Sequence, residues 1–164
     1  MIANSTRIYI TSLGIFSMLI GGAIYIFIRD PQTLYLANYL LLPNQFSQSL
    51  TNSFPGWAHV LTNSLPTGVH AFSFSLFTAL MLGINGIRIA ASCVTWAIFD
   101  CFFEFLQILR PAFCNTLSLD NDYCDLICSY ITNGTFDWND IFSILLGTLA
   151  AYTTLWYFTN LNSK

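Results

Sequence analysis

The stretch Ile98-Phe99-Asp100-Cys101-Phe102-Phe103-Glu104-Phe105-Leu106-Gln107-Ile108 decides how this chain folds, because it sets two carboxylates and an amide inside a run otherwise apolar enough for lipid. At about 100° per residue, Asp100, Glu104 and Gln107 fall within an arc of about 60°. One helix therefore aims all three at the same neighbour and leaves Ile98, Cys101, Phe102, Phe105 and Ile108 on the opposite face. A carboxylate at the centre of a membrane helix costs roughly 2.5–3.5 kcal/mol to insert, so the stripe is expected to point into a helix bundle and to mark its function.

Composition agrees with a bilayer setting. Charged residues make up 8% and hydrophobic residues 55% of the 164, where a soluble domain carries about 25% charged residues. The length leaves room for one bundle of about four spans and none for an attached soluble enzyme domain. The net charge is −3 and no basic patch exists to hold a phosphate backbone, which excludes nucleic acid as a partner.

The expected fold is an all-α integral membrane protein with four transmembrane helices in a single membrane domain, residues 1–164. Span one covers about 8–28, between Arg7 and Arg29-Asp30-Pro31, and reads as a retained helix with Ser17 and Gly21 as a small-residue packing seam. Residues 32–67 carry Pro43, Pro55 and Pro66, which divide the segment into pieces too short to cross. Short interfacial helical segments are expected there, anchored by Phe46, Leu50, Phe54, Trp57 and Leu61, with a re-entrant loop as the alternative. Span two is expected over about 69–84, a tight turn at Asn85-Gly86-Ile87-Arg88, span three over about 89–109 and span four over about 141–159. Between the last two lies an acidic loop, about 110–140.

The basic residues favour cytoplasmic termini, with Arg7, Arg88 and Lys164 inside and Arg29 and Arg110 outside. That orientation places Cys114, Cys124 and Cys128 in the outer loop, where an oxidising compartment allows Cys114 to pair with Cys124 or Cys128 or leaves three free thiols. The loop lacks His and zinc-knuckle spacing, so no metal is expected, and no cofactor motif occurs.

Under this topology several polar side chains approach the outer ends of three spans. His70 opens span two, and Glu104 lies roughly 8 Å below the outer end of span three, with Gln107 and Arg110 above it. Asp137 and Asp140 open span four, where carboxylates also suit capping of the helix N-terminus. Asp100 sits deeper, near the midplane. His70, Glu104, Gln107 and Asp140 are expected to face one another. The alternatives are an interfacial role for His70, and for Arg110 either a surface marker or a salt bridge to Glu104.

The ordered set His70-Ala-Phe-Ser-Phe74, Glu104-Phe-Leu-Gln107 and Gly134-Thr-Phe-Asp137-Trp-Asn-Asp140 followed by Gly147 resembles the VanZ-like family of small membrane proteins. The resemblance spans about 66–151; the family's usual Asn four residues after the late Asp is Ile144 here. It implies a multi-span envelope protein of the bacterial inner membrane, related to one linked to lowered glycopeptide (teicoplanin) susceptibility.

Three functions compete. In the first, a non-catalytic binding or accessory protein presents the polar cluster to an envelope ligand such as a cell-wall precursor headgroup or a lipid. No G-x-S-x-G, H-E-x-x-H or phosphate-cradling loop argues against it. The second is an intramembrane hydrolase or transferase using Glu104 with His70 or Asp140, and the third a proton-coupled carrier relaying through Asp100 and Glu104. Membrane lipids are the expected surroundings, and Gly147 and Ala151 offer a small-residue seam within the bundle or between copies in a homo-oligomer or larger complex.

Overall fold

The computed structural model describes residues 4–27, 56–108 and 136–161, and nearly all of them are helical. Four helices follow in order: α1 (Asn4–Phe27), α2 (Gly56–Leu82), α3 (Gly86–Ile108) and α4 (Trp138–Leu161). Each contains a stretch long and apolar enough to cross a bilayer. The protein is an all-α bundle of four candidate membrane spans. Arg110, Cys114, Cys124 and Cys128, and most of the expected interfacial segment and acidic loop, lie outside the described residues.

Helix α2 is the hub. It packs against all three other helices and most extensively against α4. Gly21 of α1 meets Val69 and Pro66, while Gly14 meets Phe77, so the seam runs antiparallel and uses glycines seven residues apart. Gly14 is half of this contact and was not evident from the sequence pattern, which pointed to Ser17 and Gly21.

The α2–α4 crossing is tighter. A Cβ on Gly147 would overlap the Gly68 carbonyl oxygen and stand 2.9 Å from its carbonyl carbon. A Cβ on Gly68 would overlap Ser143 Oγ and stand 2.6 Å from the Ser143 carbonyl oxygen. Two backbones thus touch without intervening side chains, the packing mode available where lipid offers no hydrophobic drive for association. Ala151, one turn beyond Gly147, is fully buried in the core, so the Gly147/Ala151 seam serves the inside of the bundle.

The expected break at Pro66 does not occur: α2 begins at Gly56 and runs through Pro66 without interruption. Proline removes one N–H from the ladder, a defect that membrane helices tolerate through local adjustment and neighbouring groups. The α2–α3 turn also lies earlier than expected. Gly83, at φ 88°, ends α2 in the left-handed conformation that favours glycine. Asn85 Oδ1 accepts from Arg88 N at 2.9 Å and so caps α3, whose first turn contains the Gly86, Ile87 and Arg88 assigned to the turn.

Arg88 closes this turn by donating from Nη1 to the Leu82 carbonyl at 2.7 Å, satisfying one free acceptor at the end of α2. A Cβ at position 83 would lie 2.9 Å from that same Nη1. Gly83→Ala is therefore expected to cost about 1–2 kcal/mol through backbone strain and displacement of the guanidinium. Thermal unfolding in detergent measures it, and an unchanged midpoint would show that the turn carries no such strain.

The bundle has two unlike halves. Its apolar core joins Ile10, Leu76, Ala79, Ile89, Cys93, Ala151 and Leu155, with at least one residue from every helix. These come from the start of α1, the end of α2, the start of α3 and the end of α4. The opposite half holds the start of α4 and the Asp100–Gln107 segment of α3. Outside, Ile8, Phe16 and Leu19 of α1, Ile98 and Phe102 of α3, and Phe142 and Leu146 of α4 form the apolar surface that lipid covers.

Candidate functional site

On α3 the stripe turns inward. Asp100, Glu104 and Gln107 retain only 7–8% exposure, while Ile98, Phe102, Phe105 and Ile108 are exposed on the other face and Cys101 is intermediate. The i, i+4, i+7 spacing produces this division without help from loops.

Two pairs organise the polar residues. Gln107 Nε2 donates to Glu104 Oε1 at 3.2 Å, one helical turn apart on α3. His70 of α2 sets Nδ1 3.6 Å from Asp100 Oδ2, an ion pair when the imidazole is protonated and too long for a hydrogen bond. His70 lies well inside α2, because the helix starts thirteen residues before the expected Val69 boundary. It reaches the level of Asp100, the carboxylate that the sequence pattern set deepest. The His70 side chain is 44% exposed against 9% for Asp100, so the imidazole fronts a nearly enclosed carboxylate.

Aromatic rings line the same flank. His70 lies 4.3 Å from Phe74 and 5.9 Å from Trp96 between ring centroids. Trp96 also meets Phe74 at 4.7 Å and Phe99 at 5.5 Å, and Phe99 meets Phe103 at 4.9 Å. Along α3, positions 96, 99 and 103 fall on one side of the polar stripe. Trp96 is held by its indole N–H donating to Thr78 Oγ1 at 2.8 Å, and below it Ser92 Oγ donates to the Ser75 carbonyl at 2.7 Å. These bonds fix α3 against α2 and hold the rings in place.

At the start of α4, Asp137 is the N-cap. Its Oδ1 accepts from the Asn139 backbone N–H and from Asn139 Nδ2, both at 2.9 Å. Asp140 occupies the third helical position with Oδ1 buried, where a carboxylate also complements the positive end of the helix. Phe136 stacks on Phe105 at 5.8 Å and Trp138 meets both rings, which brings the α4 N-terminus to the level of Glu104. Ile144, four residues on, is fully buried and apolar.

Charge in this half is one-sided. Among the described residues carboxylates outnumber histidines here: Asp100, Glu104, Asp137 and Asp140 stand against His70, with His59 nearer the start of α2. Both described arginines, Arg7 and Arg88, belong to the apolar end. Among the described residues no group of three or more His, Cys, Asp or Glu could hold a metal ion.

The sequence pattern did not signal the pairing of His70 with Asp100 or the Trp96 ring cluster. A Trp four residues before Asp100 was the available clue to the cluster. No family model, curated protein or solved structure matches the chain.

Proposed function

We propose that this integral membrane protein is a non-catalytic binding or accessory component that holds a polar headgroup at the His70/Asp100/Glu104/Gln107 face, with Asp137 and Asp140 at its rim. The observation that carries the reading is the burial of three polar side chains of α3 inside a membrane bundle, fronted by a half-exposed histidine. Such groups are costly in hydrocarbon and are kept where they have work to do. The resemblance to the VanZ-like family supports a setting in the bacterial envelope and a link to glycopeptide susceptibility. The distribution of Arg7, Arg88 and Lys164 against Arg29 and Arg110 supports cytoplasmic termini and an outward-facing cluster.

Lipid retained after purification tests the binding role. Wild-type protein is expected to carry a bound lipid or precursor that Glu104→Ala loses; equal amounts on both would remove the reading. The orientation is tested separately with membrane-impermeant maleimide in a background free of Cys114, Cys124 and Cys128. Labelling of a cysteine placed at Asp122 but not at Lys164 is expected, and the reverse pattern inverts the topology.

One observation favours a second reading, acid–base chemistry. A half-exposed imidazole backed by a buried carboxylate is the arrangement a general base uses. Glu104→Gln separates the roles further, since it keeps shape and hydrogen bonding while removing the titratable group. Full function in Glu104→Gln with loss in Glu104→Ala would sink both the general-base and the proton-relay roles for Glu104.

A further inference from the structure

Resting on the binding role proposed above, the geometry points to an ammonium group as the ligand's recognised part, held by Asp100, Glu104 and the Gln107 carbonyl beside the Trp96/Phe99/Phe103 rings. The first ground is hydrogen-bond accounting. Gln107 is more than nine-tenths buried and turns its amide into the stripe, where Nε2 is spent on Glu104. Its Oε1 is buried and has no hydrogen-bond partner. With Glu104 ionised, the carboxylate beside Nε2 assigns the two ends of the amide, since an oxygen there would face an oxygen.

Asp100 repeats the pattern. Its Oδ2 is buried and accepts no hydrogen bond, because His70 stands off at 3.6 Å. Both vacancies are acceptors, so the missing partner is a donor. An unmet buried acceptor costs about 1–3 kcal/mol, more when it is charged, which makes a donor-bearing ligand a gain at both positions.

Charge and aromatic placement narrow the class. Among the described residues, four carboxylates against two histidines of α2, His59 and His70, disfavour a phosphate or carboxylate ligand and favour a cation. A primary ammonium offers three donors and no acceptor, which matches a site short of donors alone. The indole and phenyl rings on the flank of the stripe are residues able to add cation–π attraction to an ammonium that comes within reach of a ring face. The ammonium has two possible sources, an aminophospholipid headgroup reaching the face from the bilayer or a small amine from the aqueous side.

The test uses the full-length protein, delipidated in maltoside detergent and titrated by native mass spectrometry. The probes are phosphatidylethanolamine, its N-acetylated derivative and phosphatidylglycerol, each repeated with millimolar ethanolamine present. Phosphatidylethanolamine is expected to bind about tenfold or more tightly than the other two, as loss of a desolvated charge partner implies. Asp100→Asn and Gln107→Met should each remove most of that preference; the methionine preserves volume, so the second variant remains informative if the first fails to fold.

Displacement by ethanolamine assigns the site to small amines, and persistence assigns it to the lipid; both retain the ammonium. Preferential binding of phosphatidylglycerol that still depends on Asp100 or Gln107 overturns the ammonium and leaves headgroup binding standing. Binding indifferent to both substitutions overturns the ammonium site, and the absence of any site-dependent lipid overturns the headgroup role with it. A phosphatidylethanolamine preference that emerges only in Arg110→Ala would assign the vacancies to that arginine, three residues past Gln107 in sequence, and would overturn the ligand.

Discussion

Gly147→Leu is expected to prevent α4 from docking on α2, and Gly147→Ala to cost about 3 kcal/mol or more, at the upper end of what overpacking does in a well-filled interior. The obstacle is backbone: a Cβ at 147 overlaps the Gly68 carbonyl, and neither helix has a rotamer to change. Relief requires the two helices to separate, which opens the most extensive helix pair in the bundle. Gly68→Ala meets the same obstacle from the other side, at the Ser143 carbonyl. Gly22 is the internal control. Nothing lies within 4 Å of a Cβ there, so Gly22→Ala should be neutral or slightly stabilising through helix propensity. Unfolding in mixed micelles gives the ranking, and equal midpoints for Gly147→Ala and Gly22→Ala would rule out the close crossing.

The second large effect is coupling between His70 and Asp100. With the imidazole protonated, His70→Leu leaves Asp100 buried without the cation 3.6 Å away and is expected to cost about 2 kcal/mol, below the range for fully enclosed pairs because the imidazole is half exposed. Asp100→Leu alone leaves the histidine facing apolar rings and also destabilises. The double variant should recover stability above either single variant, since a buried ion pair is commonly replaceable by apolar side chains at no net loss. Binding should nevertheless be lost in the double variant, which separates what the pair does for function from what it does for the fold. If the two single effects add within about 0.5 kcal/mol, the residues do not act as a pair.

The parts of this arrangement that follow from one helix's own periodicity were legible in the sequence. The inward placement of Asp100, Glu104 and Gln107 and the outward placement of Ile98, Phe102, Phe105 and Ile108 require only the helical repeat and the aversion of lipid to charge. Capping by Asp137 is legible for the same reason, being settled within three residues. What depends on where a helix begins was not legible. Treating Pro66 as a break moved the start of α2 by thirteen residues, roughly 20 Å of helix, which took Gly68 out of the bundle and put His70 at its mouth. With Gly68 left outside span two, Gly147 had no visible partner. The pairing of His70 with Asp100 joins two helices, and no single-helix pattern carries the register between them.

The dominance of the α2–α4 contact bears on the order in which the protein is made. Helices leave the ribosome in sequence, and α1, α2 and α3 precede α4 into the bilayer. During that interval the Gly68 side of α2 lacks its partner, and the acidic stripe of α3 lacks one of the walls that enclose it. The early intermediate therefore shows the membrane a pair of carboxylates and an uncovered glycine face, features that a quality-control protease or insertion chaperone can recognise. Arrival of α4 removes both signals at once. Nascent chains halted before Trp138 should be cleared faster than chains extended through Leu161, which makes the fourth helix the checkpoint of biogenesis as well as part of the fold.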